Sequence, residues 1–156
     1  MNLQIVEMPA FQVVGIEVRT VNAAERTPAT AKIPKLWKRF FEEKVEEQIP
    51  GKAEPERLYA VYHSYENDFN GFYSLLIGQK SGTAGPLPGA LRRAEVEPQQ
   101  YLAFPPVPAK PEEIAKVWQE VWNYFSQAGP FKRAYSQDFE LYQNNTMQLH
   151  LAVADQ

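Results

Sequence analysis

Glu140 is the residue of this sequence best placed to do chemistry, because it lies between two apolar residues in a segment that alternates like a β-strand. The segment covers residues 133–143. Since side chains alternate across a strand, Glu140 and Tyr142 are expected to share one face. Phe139 and Leu141 are expected on the opposite face. A carboxylate and a phenol would then lie side by side, although the same pattern also fits a half-buried strand whose polar face contacts only water.

Aromatic side chains make up 13% of the chain, which is enough to build walls around one acid. Such a site suits an organic cation, because a desolvated cation gains from a nearby countercharge and from the negative faces of the rings. Two of the tryptophans, Trp118 and Trp122, are four residues apart on a predicted helix and would equally well fill the core beneath a sheet. The predicted ligand-binding residues are Glu140, Tyr142, Trp37, Trp118, Trp122, Tyr59 and Tyr65.

The same acid also supports an enzymatic alternative. In a hydrolase, Glu140 would act as a general base on water while Tyr65 or Tyr142 stabilised a developing oxyanion. We favour the role of a counterion, because the sequence offers no positioned nucleophile and no cationic group to stabilise an electrophile at a recognisable spacing. Neither His63 nor His150 lies in a metal-binding motif, so we expect no metal and no cofactor.

The charge pattern disfavours direct contact with nucleic acid. The formal net charge is -3, and no run of Lys or Arg supplies the basic footprint that such contact needs. The absence of cysteine excludes disulfides and Cys-ligated metals. No stretch approaches the ~18 apolar residues of a membrane span, and the N-terminus lacks the pattern of an export signal. We therefore expect a cytoplasmic protein with no membrane contact.

Helix and strand signals alternate along the chain in a recurring order. Pro34 and Pro111 each stand at the favoured first turn of an amphipathic helix. Residues 80–98 are rich in Gly and Pro and are expected to form a connector without strand pairing. The predicted strands cover residues 3–7, 11–19, 57–65, 72–79, 99–105, 133–143 and 147–153, and the predicted helices cover residues 34–48 and a segment from Pro111 to Phe125.

The order of one strand, a proline-initiated helix and two strands occurs twice, which predicts a duplicated architecture. We expect an α+β fold of two β-α-β-β units related by a pseudo-twofold axis, with both helices packed against mainly antiparallel sheet. One domain would cover residues 1–156, with halves of about 1–80 and 95–156. Because each unit has one helix to bury, a groove should lie where the two units meet. Strand 57–65 of the first half would correspond to strand 137–143 of the second.

Six segments spread over most of the chain match one known family of domains. They are residues 13–19, 33–40, 62–68, 73–78, 118–122 and 133–142. Through them the chain resembles the GyrI-like family of effector-binding domains, which sense drugs and occur free-standing or fused to MerR-type and AraC-type transcription activators. The resemblance implies a GyrI-like, SHS2-type fold. It also implies that Glu140 lies in a central aromatic cleft and meets cationic, often flat lipophilic ligands.

The resemblance implies a stand-alone, multidrug-type binder of lipophilic cations, since no helix-turn-helix segment flanks the domain. Transcriptional output would then need a partner. The expected protein partners are a transcription regulator or DNA gyrase, with a homodimer as the alternative. Some members of the family bind DNA gyrase and some hydrolyse strained electrophilic xenobiotics. A gyrase-binding modulator and a xenobiotic hydrolase therefore remain alternatives, because a fold does not determine an activity.

Overall fold

The computed structural model describes residues 3–155. They form a large antiparallel sheet with helices packed against it. No helix in this range is long and apolar enough to cross a membrane. The strands are β1 (Gln4–Met8), β2 (Phe11–Val21), β3 (Leu58–His63), β4 (Phe72–Lys80), β5 (Arg92–Val96), β6 (Gln99–Ala103), β7 (Val107–Pro108), β8 (Phe131–Gln143) and β9 (Thr146–Asp155). The helices are α1 (Asn22–Glu25), α2 (Ile33–Glu42) and α3 (Pro111–Phe125).

The strand order confirms the predicted α+β duplication. The sheet runs β1-β6-β9-β8-β3-β4-β2-β5, with β7 paired to β9, and each pairing is antiparallel. From the centre outward, β3, β4 and β2 on one side match β8, β9 and β6 on the other. The unit β2-α2-β3-β4 therefore corresponds to β6-α3-β8-β9, and the two units meet where β3 pairs with β8.

The first long helix is shorter than the sequence predicted. It ends at Glu42 rather than at residue 48. Lys44 adopts a left-handed conformation with φ 51°, which a right-handed helix cannot continue. The chain then makes a 3-10 turn over Val45–Gln48, which brings the side chain of Val45 back into the core beneath α2.

The prediction that residues 80–98 lack strand pairing is wrong for their second half. Residues 92–96 form β5, which pairs with β2 from Phe11 opposite Val96 to Gly15 opposite Arg92. The glycines and prolines that motivated the prediction are concentrated in residues 82–89, and residues 92–96 contain neither. β5 is the last strand at one edge of the sheet. An edge strand can follow a segment rich in Gly and Pro, because its outer side needs no pairing partner.

One row of residues that pair across neighbouring strands brings the helices and the acid together. The row consists of Ile16, Ile77, Ala60, Glu140 and Leu149. Directly paired residues share a face of the sheet. Ile16, Ile77 and Ala60 pack in the core beneath α2, and Leu149 packs in the core beneath α3, so the row lies under both helices. Glu140 is therefore the one acid in an otherwise apolar row.

Candidate ligand-binding site

The carboxylate of Glu140 is buried and is hydrogen-bonded by aromatic side chains. Glu140 is 3% exposed and pairs across the sheet with Ala60, whose small side chain leaves space above the acid. The indole Nε1 of Trp118 donates to Oε2 at 2.8 Å, and the hydroxyl of Tyr62 donates to the same oxygen at 3.2 Å. The hydroxyl of Tyr142 donates to Oε1 at 2.8 Å. Both oxygens are thus held by donors from three different elements.

Two opposing effects act on the ionisation of Glu140. Burial raises its pKa above the ordinary value, and the hydrogen bonds from Trp118, Tyr142 and Tyr62 act in the lowering direction without cancelling the rise. Burial and the neighbouring acid together raise the pKa of Tyr62 and of Tyr142. The two phenols therefore stay neutral and keep donating. Among the described residues, no Lys, Arg or His forms a salt bridge with Glu140.

A cavity of about 630 Å³ opens above this carboxylate, between α2 and α3. We call it the Glu140 cavity. Its volume is within the range of roughly 300–1,000 Å³ that holds drug-sized ligands. Of the described residues that line it, only Glu140 carries a charge, and the rest are mostly apolar or aromatic. They are Ile33, Pro34, Trp37, Phe41, Leu58, Tyr62, Ala109, Pro111, Ile114, Trp118, Glu140 and Tyr142.

Trp37 forms the wall of the cavity on the side of α2. Its ring meets that of Tyr142 edge to face, with the centroids 5.1 Å apart. It stacks on Phe41 at 6.0 Å, and Phe41 itself is 56% exposed at the mouth. The structure thus brings the predicted site residues Glu140, Tyr142, Trp37 and Trp118 together around one cavity.

Tyr59 lies away from Glu140, contrary to the sequence prediction. It pairs with Leu141 and therefore faces the opposite side of the sheet. There it is buried against Phe139, and its hydroxyl donates to Glu54 at 2.7 Å. The sequence predicted the correct strand but the wrong residue on it, because Tyr62 and not Tyr59 shares the face of the acid. Alternation along β3 separates the two tyrosines, but only the register with β8 shows which one meets Glu140.

Tyr65 and Trp122 line a neighbouring compartment rather than the Glu140 cavity. We call this compartment of about 200 Å³ the middle cavity, and the side chains of Tyr62 and Trp118 lie between it and Glu140. The hydroxyl of Tyr65 donates to Asp138 and not to Glu140. Trp122 is 44% exposed. The residues lining the middle cavity are Asn22, Glu25, Ile33, Tyr62, Tyr65, Phe69, Tyr73, Trp118, Trp122 and Arg133.

A third compartment continues the groove past Trp122. It measures about 410 Å³ and contains two arginines, so we call it the arginine cavity. Its lining residues are Asn22, Arg26, Phe69, Val121, Trp122, Phe125, Ser126, Arg133 and Tyr135. The seam between the two units, where the sequence predicted a groove, therefore carries three neighbouring compartments that share lining residues.

The two histidines lie outside this groove. His63 is in hydrogen-bond contact with Glu17 and with Ser64. His150 is buried, and its ring stacks on that of Phe139 with the centroids 4.5 Å apart. Burial lowers the pKa of His150 to about 4, so it is neutral at physiological pH. No group of three or more His, Asp or Glu side chains in residues 3–155 converges as a set of metal ligands.

Comparison with known proteins identifies relatives over almost the whole chain. The model of the family described as "Cass2: Integron-associated effector binding protein" matches residues 4–154. The crystal structure of the integron cassette protein VCH_CASS2 from Vibrio cholerae is 35% identical and has a TM-score of 0.77, covering 97% of this chain and 95% of that one. These findings confirm the resemblance to effector-binding proteins that the sequence indicated.

Two further relatives differ more in sequence. The putative transcriptional regulator protein YobU of Bacillus subtilis is 28% identical over 132 residues, which are 84% of this chain and 80% of that protein. The structure of SAV2435 bound to tetraphenylphosphonium has a TM-score of 0.77 at 16% identity and covers 99% of this chain and 94% of that one. At that identity the likeness is one of fold.

Proposed function

Because the chain belongs to the Cass2 family of integron-associated effector-binding proteins, we propose that it binds lipophilic organic cations in the Glu140 cavity. The observation that carries the proposal is the buried carboxylate of Glu140 at the base of a large aromatic cavity. Among the described lining residues no other charge competes with it. An entering cation would supply the countercharge that the acid lacks, and Trp37, Trp118 and Tyr142 would offer it their rings.

The hydrogen bonds of Glu140 narrow the class of cation. A carboxylate has about four acceptor directions, and three are occupied by Trp118, Tyr62 and Tyr142. The negative charge remains available, but few lone pairs remain for an N–H donor. We therefore expect phosphonium, quaternary ammonium and delocalised dye cations to bind better than primary amines of equal size. Tetraphenylphosphonium, the ligand bound by SAV2435, has this chemistry.

The expected affinity is moderate. An ion pair at 4 Å contributes about 4 kcal/mol at an effective dielectric constant of 20, and a cation over an aromatic ring adds roughly 1–2 kcal/mol. Apolar contact in the cavity adds to this, and the loss of translational freedom subtracts from it. We expect these terms to leave a dissociation constant on the order of micromolar, which corresponds to about -8 kcal/mol.

The hydrolase alternative has weaker support in the geometry. A general base needs a free lone pair directed at water, and most of the acceptor directions of Glu140 are already occupied by aromatic donors. Tyr65, which the sequence suggested as a stabiliser of an oxyanion, is hydrogen-bonded to Asp138 instead. Tyr62 and Tyr142 are the hydroxyls within reach of the acid.

Titration calorimetry with tetraphenylphosphonium tests the proposal. The wild-type protein should bind this cation more tightly than the uncharged analogue triphenylphosphine oxide. Glu140→Gln should weaken binding of the cation by about 2 kcal/mol or more, which is roughly 30-fold in affinity, because an ion pair is replaced by neutral contacts. The matched control is Glu54→Gln, which removes an acid on the opposite face, beside Tyr59. Equal losses in the two variants, or equal affinity for the two ligands, would contradict the proposal.

A further inference from the structure

The groove along the seam between the two units is lined by residues of opposite charge at its two ends. At one end, Glu140 is the charged residue lining the Glu140 cavity. At the other end, the described residues lining the arginine cavity include Arg26 and Arg133 and no acid. The two ends are separated by the middle cavity and by the side chains of Tyr62 and Trp118. A ligand that matches one end is therefore mismatched in charge at the other.

Arg133 is held in place but retains donor capacity. Its side chain is 8% exposed, and one terminal nitrogen donates to Asp138 at 3.0 Å. The guanidinium stacks over the ring of Tyr135 at 4.3 Å. Its Nε is buried and has no hydrogen-bond partner among the described residues. A buried donor without a partner is costly, and an acceptor brought by a ligand would relieve that cost after a small shift of the guanidinium.

Asp138 offsets the charge of Arg133 but does not itself line the arginine cavity. It is fully buried, and its oxygens accept hydrogen bonds from the hydroxyl of Tyr65, the backbone N–H of Ala152 and Arg133. The positive charge that no salt bridge offsets is that of Arg26, to which none occurs within residues 3–155.

Two further negative features lie near the arginine cavity, and neither is a carboxylate that lines it. Glu25 borders the middle cavity, but its carboxylate is occupied by the backbone N–H groups of Lys32 and Ile33 and by the hydroxyl of Thr20. The C-terminal end of α3 at Phe125 contributes a partial charge of only about half a unit.

The remaining walls of the arginine cavity are apolar or aromatic. Phe69, Val121, Trp122 and Phe125 supply a surface on which a ring or an alkyl chain can pack. From this combination of apolar walls and arginines we propose that the arginine cavity is a separate site for lipophilic organic anions, namely aryl or alkyl carboxylates and sulfonates. Two oxygens of a carboxylate or of a sulfonate can each accept a hydrogen bond from the fork of an arginine side chain. The site does not depend on cation binding at Glu140.

The dye 1-anilinonaphthalene-8-sulfonate and its uncharged parent N-phenyl-1-naphthylamine make a matched pair of probes, since they differ by the sulfonate. We expect the sulfonate dye to bind at least tenfold more tightly than the parent. Arg26→Gln should lower the affinity for the sulfonate dye by about tenfold and leave the affinity for the uncharged parent unchanged. Lys38→Gln removes an exposed cation of α2 and serves as the control for a general change of net charge.

Further variants separate this site from the Glu140 cavity. Arg133→Lys keeps a cation beside Asp138 but loses the guanidinium fork, so it should also lower the affinity for the sulfonate dye. Glu140→Gln should leave the affinity for the sulfonate dye unchanged even though it weakens binding of tetraphenylphosphonium. Equal affinity for the two dyes, or the same small effect from Arg26→Gln and Lys38→Gln, would overturn the proposal. Both results can be obtained whether or not the protein binds cations.

Discussion

The indole Nε1 of Trp118 lies 2.8 Å from Oε2 of Glu140 and donates a hydrogen bond to it. This bond links α3 to β8, one of the two central strands of the sheet. It also gives Trp118 two roles, because the same indole lines the Glu140 cavity and lies between it and the middle cavity. Replacing this one side chain therefore changes both the electrostatics of the acid and the shape of the cavity, and the pH dependence of binding reports the first of these effects.

Trp118→Phe should raise the pKa of Glu140 further. The hydrogen bond from Trp118 is the largest of the effects that lower this pKa, so its removal leaves burial less opposed. The midpoint of cation binding against pH should then move to higher pH. The measurement is the affinity for tetraphenylphosphonium at a series of pH values. Trp122→Phe is the matched control, because Trp122 lies outside the Glu140 cavity, and an equal shift in both variants would contradict the assignment.

Binding of cations should weaken as the pH falls through the pKa of Glu140. The acid attracts a cation only when it is ionised, and its raised pKa means that the loss begins above the ordinary value of 4.5. A bound cation favours the ionised form, so binding near this pKa should release protons. Calorimetry in buffers of different ionisation enthalpy measures that release. A flat pH profile through this window would place the cation away from Glu140.

Glu140→Gln should stabilise the unliganded protein, increasingly so as the pH rises. A folded-state pKa raised above 4.5 means that the folded chain binds more protons than the unfolded chain between the two values. The contribution of Glu140 to the free energy of unfolding therefore falls as the pH rises through that window. Each unit by which the pKa is raised corresponds to about 1.4 kcal/mol. Glutamine preserves the shape of the side chain and does not titrate.

Urea denaturation of both proteins between pH 4 and pH 8 measures this difference. The unfolding free energy of Glu140→Gln minus that of the wild type should grow with pH and reach a plateau above the pKa of Glu140. A difference that is constant with pH would mean that the pKa of the buried acid is not raised. A difference that shrinks with pH would reverse the sign of the effect.

The alternation of residues 139–142 was sufficient to predict the face of β8 that carries Glu140 and Tyr142. Pro34 and Pro111 likewise predicted where α2 and α3 begin, since a proline in the first turn is a local signal. The order of elements, which depends only on such local signals, was sufficient to predict the duplicated fold.

What the sequence could not predict depends on long-range register. Leu58, Ala60 and Tyr62 alternate with Tyr59 and Val61, and nothing within β3 indicates which set meets Glu140. The pairing of Ala60 with Glu140 decides this, and it joins residues 80 positions apart. The early end of α2 was missed for a different reason, because the left-handed conformation of Lys44 is imposed by the packing of Val45 and not by a glycine or proline.

The last prediction separates a binder from an enzyme. We expect no multiple turnover when the protein is incubated with strained-ring or ester electrophiles and the products are followed by chromatography. The reason is that Trp118, Tyr62 and Tyr142 occupy most of the acceptor directions of Glu140, which leaves the acid poorly placed to activate water.

The variants Glu140→Gln, Tyr62→Phe and Tyr65→Phe make this test specific. Tyr62 donates to Glu140, whereas Tyr65 donates to Asp138 in the neighbouring compartment, so the two phenylalanine variants form a matched pair. Turnover that is present in the wild type and in Tyr65→Phe but lost in Glu140→Gln and Tyr62→Phe would establish the acid as a general base. Binding without product in every variant that still binds would leave Glu140 as a counterion, because a general base would have converted a bound electrophile.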